Sequence, residues 1–156
     1  MTLPLVVLPD PPPEIPRVLW ERTIPSRIEL KQEVIDAVSQ MMLAERLIGD
    51  DDAHWLALCL DEALVNAILH GNEADETVPV RIQVGIDGDR WVVRIDDQGA
   101  GFDPGDVPDQ DDSESLLLEH GRGIRLMREW LDALTYHRHG ATIVMARTRT
   151  QCPANS

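Results

Sequence analysis

The sequence predicts an α+β fold, a sheet with helices on one face. Three observations carry this expectation. Residues 79–87 alternate apolar Val80, Ile82, Val84 and Ile86 with Arg81, Gln83, Gly85 and Asp87, the period of a half-buried strand. The turn "DGD" (87–89) and the run "RWVVRIDD" bring that strand back as a hairpin. Two long helical segments precede the hairpin, and a third helix and two more strands follow it.

Taken in order, residues 1–16 hold six of the 11 prolines (Pro4, Pro9, Pro11, Pro12, Pro13 and Pro16) and read as an extended, flexible leader. "RVLWERTI" (17–24) is the first strand. Ser26 and Glu29 have capping-box spacing and open a helix to about Ile48, ended by Gly49. Asp50, Asp51 and Asp52 supply the next N-cap. The second helix then runs to His70, with Gly71 as its stop. After the hairpin comes a loop rich in Asp, Gly and Pro over 98–114. A helix follows from about Gly123 to Ala133. "LTYHRH" and "ATIVMARTR" are the last strands and turn through Gly140. Residues 151–156 form a flexible tail, so the folded domain is 17–150.

Composition narrows the function. A chain of 156 residues can bury a core without disulfide or metal staples. Its 14 basic and 28 acidic residues give a net charge of −14. That balance argues against nucleic acid or an anionic membrane as a partner. No apolar run has the length of a membrane span, and the proline-broken opening lacks the basic start of a signal peptide. Of the 2 cysteines, Cys59 sits in the apolar helix as a reduced core residue. A cytoplasmic location is expected.

Polar residues on the second helix and in two glycine segments mark a candidate site. Glu62, Asn66 and His70 are spaced i, i+4, i+8 and share one ridge of a helix with apolar flanks. Two readings fit the ridge alone: mutual satisfaction of Glu62 and Asn66, or a site that uses them. On the returning strand, Trp91, Val93 and Ile95 share a face, and the period of two puts Asp97 on it. Asp97 thus aims a carboxylate to the apolar side where the strand ends, just before Gly99 and Gly101. Such a carboxylate is an acceptor for an exocyclic amine. In "EHGRGIRLM" (119–127), Gly121 and Gly123 precede a helix N-terminus suited to phosphate, and Arg122 adds a positive charge.

Together, "DEALVNAILHG", "DDQGAGFDP" and "HGRGIRLM" resemble the N-box and the two glycine boxes of the GHKL (histidine-kinase-like, Bergerat-type) superfamily of ATP-binding domains, over roughly residues 17–148. Within it the chain resembles stand-alone bacterial anti-sigma-factor serine kinases. The resemblance implies a two-layer α/β sandwich with a mixed, mostly antiparallel sheet. It also implies ATP and Mg²⁺ as cofactors. By the same resemblance Glu62 is the general base, Asn66 the Mg²⁺ ligand and Asp97 the acceptor of the adenine amine. Gly99 and Gly101 form the backbone hinge beside the base. Gly121, Arg122 and Gly123 cover the phosphates. Thr142 lies near adenine, in a local match "GATIV" where the family has a Gly-Thr pair.

The activity so implied is that of a serine/threonine protein kinase. It phosphorylates a STAS-type anti-sigma-factor antagonist and so regulates transcription, with a sigma factor as a second partner. The alternative is a non-catalytic, nucleotide-responsive module that sequesters a sigma factor or other regulator. The acidic run Asp103, Asp106, Asp109, Asp111, Asp112, Glu114 and Glu119 beside the site makes Mg²⁺ necessary to a triphosphate ligand. His137 and His139, at i, i+2, could supply half a metal site, but an exposed basic strand is the preferred reading. The first helix carries more apolar positions than one stripe needs, which leaves room for a homodimer or partner contact.

Overall fold

A computed structural model describes residues 2–99 and 119–150, with side chains outside 119–124. Strand β1 (Arg17–Pro25) leads to helix α1 (Lys31–Ala44) and helix α2 (Ala53–Val65). The hairpin follows as β2 (Pro79–Asp87) and β3 (Arg90–Asp96). Helix α3 (Glu119–Trp130), β4 (Ala133–His137) and β5 (Thr142–Thr148) complete the chain. The strands form one sheet in the order β1-β2-β3-β5-β4, and each neighbouring pair is antiparallel. The parallel component is an isolated bridge between Val7 and Tyr136.

The period of two decides what the sheet buries. Val80, Ile82 and Val84 of β2, Trp91, Val93 and Ile95 of β3, and Met145 of β5 are all buried. They meet Val34, Ile35, Val38 and Met42 of α1 and Leu56, Leu60 and Leu64 of α2 in one core. Truncating one of these leucines to alanine would cost roughly 2–5 kcal/mol, since both transfer free energy and packing are lost. The apolar surplus on the first helix is largely absorbed here, because Ile28, Leu30 and Met41 also pack against this core. Cys59 is buried in it, and burial pushes its thiol up to about 12, so it stays protonated.

Several local expectations are corrected. Ser26 does not cap a helix. Its hydroxyl donates to the Val78 carbonyl and accepts from Asn72 Nδ2, while α1 starts at Lys31 after a short 3₁₀ turn. The same helix stops at Ala44 and not at Gly49, and Arg46 takes the left-handed φ of 59°. The third helix begins at Glu119, so Gly121 and Gly123 lie within its first turns and do not precede it. The last hairpin is shorter than expected: β4 ends at His137, and His139 sits in a 3₁₀ turn with φ 58°. His137 and His139 therefore share no strand face. His137 is buried, bonded to Thr135 Oγ1 at 2.9 Å and to the Asp10 carbonyl at 3.2 Å.

The leader, expected to be flexible, is hydrogen-bonded along β4. Tyr136 N–H donates to the Val6 carbonyl and Leu8 N–H to the Tyr136 carbonyl, each at 2.9 Å. Leu3 and Leu5 pack on the core. Residues 12–16 then line a groove with Val92, Val144 and Ala146 on the helix-free face of the sheet, before the chain enters β1. The β4 edge offers unpaired backbone groups, and an extended segment is the shape that satisfies them.

Candidate active site

At its end, helix α2 changes character. Residues Asn66–Gly71 form a π-helical turn, and Asn72 N–H bonds the Ala67 carbonyl five residues back at 2.9 Å. Single π turns of this kind recur at functional sites. The widened turn shifts the ridge: Glu62 and Asn66 are each only 4% exposed, whereas His70 is exposed.

Between this turn and the sheet lies a narrow cleft enclosing about 10 Å³. Ala63, Asn66 and Ala67 form its helical wall. Ile95 and Asp97 come from the end of β3, Tyr136 from β4, and Gly140, Ala141 and Ile143 from the last hairpin. Asn66 and Asp97, far apart in sequence, thus line one cavity. Glu62 is buried beside it on α2, and its charge is one reason the Tyr136 phenol is raised, after burial itself.

Asp97 is 2% exposed. Burial in the apolar cleft pushes its carboxyl up to about 6. The Gly99 N–H, which donates to Oδ1 at 2.9 Å, and the charge of Arg138 both oppose that rise, and neighbouring Asp96 adds a smaller push upward. The carboxylate fits because two side chains are missing. A Cβ on Gly71 would overlap the Asp97 carboxylate, and one on Gly99 would overlap the Gly71 carbonyl. Gly71 was read from the sequence as a helix stop; the structure adds this close approach.

Other expected site residues are placed less centrally. Thr142 is fully buried but faces away from the cleft. Its hydroxyl donates to Asp96 Oδ1 at 2.6 Å and accepts from Arg138 Nη1 at 3.1 Å. Its neighbours Ala141 and Ile143 line the cleft in its place. Gly121, Arg122 and Gly123 are backbone positions of α3. Gly101 lies outside the described residues, as does the acidic run from Asp103 to Glu114.

Sequence reasoning missed Asn72. It is 4% exposed, and its amide nitrogen donates to Ser26 Oγ at 2.8 Å and to the Pro79 carbonyl at 3.0 Å. Its amide oxygen accepts the Gln98 N–H at 2.8 Å. One side chain therefore joins the end of the π turn, the start of β2 and the segment after Asp97. Arg138 and Tyr136 were missed as well. The only sequence signal near Asn72 was its place beside Gly71, after the polar ridge.

Comparison with known proteins agrees with this arrangement. The family model described as the histidine kinase-like ATPase domain matches residues 24–147. The chain is 30% identical over 104 residues to the serine-protein kinase RsbW of Bacillus licheniformis, covering 62% of this chain and 65% of that protein. It is 30% identical over 105 residues to the serine-protein kinase RsbW of Bacillus subtilis (strain 168), with the same coverage. The match thus spans just under two thirds of these relatives' length. With the match running from the end of β1 to the end of β5, through the cleft that holds Asn66 and Asp97, the chain belongs to the histidine kinase-like ATPase family.

Proposed function

We propose that the protein is an ATP- and Mg²⁺-dependent serine/threonine protein kinase of the anti-sigma-factor type, acting in the cytoplasm on a STAS-type antagonist. The observation that carries the reading is Asp97. A carboxylate held 2% exposed in a mostly apolar cleft lacks the solvation its charge requires. The exocyclic amine of adenine supplies a donor, and Ala63, Ile95, Ala141 and Ile143 supply walls for a flat ring. The space enclosed between these walls is only about 10 Å³, room for roughly one water. The base enters by parting these walls, and the phosphates extend past Asn66.

Asn66 fits the metal role by its chemistry. Its Nδ2 is buried without a hydrogen-bond partner among the described residues. The oxygen of the same amide is a hard ligand, which Mg²⁺ accepts alongside phosphate oxygens and water. Bound Mg²⁺ would neutralise the triphosphate. Glu62, one turn before Asn66, orients or accepts the proton of the incoming hydroxyl. Phosphoryl transfer relies mainly on positioning and charge neutralisation, so few side chains suffice. That both relatives are named serine-protein kinases supports the choice of hydroxyl acceptor.

The test is incubation with labelled Mg-ATP and a STAS-type antagonist. The expected result is phosphoserine or phosphothreonine on the antagonist. In Glu62→Ala, calorimetry should show nucleotide binding intact while transfer falls by about 10²–10⁴-fold, the usual contribution of a general base. Transfer at the unaltered rate in that variant removes Glu62 from the role. Nucleotide-dependent capture of a sigma factor, with no label on any antagonist, would favour the non-catalytic sequestering module.

A further inference from the structure

One peptide bond next to the cleft is held from both sides. The carbonyl of Asp97 accepts from Arg138 Nη1 at 3.3 Å. The N–H of the same peptide, that of Gln98, donates to Asn72 Oδ1 at 2.8 Å. The Asp97 N–H donates to the Ala141 carbonyl at 2.8 Å. With the backbone fixed on either side of its Cα, and the Gly99 N–H holding Oδ1 at 2.9 Å, the Asp97 carboxylate keeps one direction.

From this geometry we infer that Arg138 and Asn72 are positioning residues: they fix the 97–98 peptide, aim the Asp97 carboxylate, and so set a preference for a 6-amino purine over a 6-oxo purine. The inference rests on the nucleotide reading of the cleft. Neither residue need touch the ligand. Arg138 reaches the peptide from the last hairpin, and Asn72 from the end of the π turn. Both are anchored elsewhere. Arg138 also donates to Thr142 Oγ1 at 3.1 Å and lies 3.6 Å from Asp96. Asn72 is tied to Ser26 and Pro79. A clamp that grips one peptide from two separate elements transmits orientation, whereas either contact alone would leave a hinge. A 6-oxo purine presents an acceptor to the fixed carboxylate, and two acceptors repel.

Arg138→Gln is the cleaner variant. Asp96 keeps Arg94 at 3.0 Å and Arg81 at 3.3 Å, so the substitution strands no buried charge. Calorimetry would compare Mg-ATP, Mg-GTP and inorganic tripolyphosphate on the wild type, Arg138→Gln, Arg138→Lys and Asn72→Ser. The wild type is expected to prefer ATP to GTP. In Arg138→Gln the ATP-to-GTP preference should fall on the order of tenfold, as expected when a charge-assisted hydrogen bond is lost. Tripolyphosphate affinity should not change. Arg138→Lys should restore part of the preference, because an ammonium can still bond the Asp97 carbonyl. Asn72→Ser should lower it in the same sense, with thermal melts showing a folded protein.

A merely structural role would weaken all three ligands together and leave the ratio fixed. An unchanged ratio in folded Arg138→Gln overturns the inference while the nucleotide reading stands. A wild type that binds ATP no better than GTP overturns the inference alone; one that binds no Mg-ATP overturns that reading, and the inference with it.

Discussion

Asp96 and Asp97 are consecutive, equally buried, and opposite in every other respect. Asp96 is 3% exposed and Asp97 2%. The pleat sends them to opposite faces of the sheet. Behind the sheet, Asp96 is bonded to Arg94 at 3.0 Å, to Arg81 at 3.3 Å and to Thr142 at 2.6 Å. On the helix side, Asp97 has the Gly99 N–H at 2.9 Å and apolar neighbours, and its carboxyl is pushed up to about 6. Burial alone therefore does not separate the two carboxylates. One charge is fully compensated and braces the fold. The other is left partly uncompensated, which is the state a ligand can relieve.

The pair of amide substitutions separates these roles most strongly. Asp97→Asn presents a donor where the adenine amine needs an acceptor, and nucleotide affinity should fall by about 100-fold or more, since a site built on one buried bond rejects a mismatched group severely. The same variant should be more stable than the wild type without ligand at neutral pH. The raised wild-type carboxylate costs the fold about 3 kcal/mol there, from a rise from 3.8 to about 6 at roughly 1.36 kcal/mol per unit, and the amide removes that cost. Asp96→Asn should do the reverse. It removes the common partner of Arg94 and Arg81 and should lower stability by about 2–4 kcal/mol. Thermal melts and calorimetry on both variants would test the contrast. A melting temperature for Asp97→Asn below that of the wild type would break it.

Gly71 tests the same comparison by shape. Gly71→Ala would place a methyl against the Asp97 carboxylate. Overpacking of this kind costs typically about 1–3 kcal/mol. The carboxylate must move to relieve it, so nucleotide affinity should drop on the order of tenfold or more. Unaltered affinity by calorimetry would mean that the carboxylate direction is not critical.

What the sequence made legible follows from the range of the forces involved. The period of two placed β2 and β3 and put Asp97 on the inner face, because strand alternation is local. The spacing of Glu62 and Asn66 was equally readable from α2. The π turn at Asn66–Gly71 was not, since a widened turn leaves no mark on apolar spacing. Ser26 shows the limit of a local rule. Its capping-box pattern was present, yet its hydroxyl serves Val78, 52 residues away. Asn72 and Arg138 were hidden for the same reason: what they hold is a peptide from a distant strand. The leader's prolines suggested an unattached arm, but the open β4 edge, a product of the final topology, binds it.

The smallest effect is on pH, and it has two opposite signs on one group. In the folded protein without ligand, the Asp97 carboxyl is raised to about 6 from 3.8. The folded state therefore holds its proton more tightly than the unfolded state. Stability from this group is fully present below about 4 and is lost as pH rises through about 6. Nucleotide binding runs the other way, since the adenine amine needs the ionised acceptor. Lowering pH from about 7.5 to about 5.5 should therefore weaken Mg-ATP binding by roughly fourfold through Asp97 alone, from simple titration at about 6. The difference between wild type and Asp97→Asn isolates the effect from the other carboxylates, such as Asp132, held low by the Thr148 N–H. In melts without ligand, the stability gap between the two proteins should close as pH falls from 7 toward 4. In calorimetry, the wild type should lose more affinity than Asp97→Asn over that interval. A gap that stayed constant with pH would mean that Asp97 is solvated and ionised throughout, and the contrast with Asp96 would disappear.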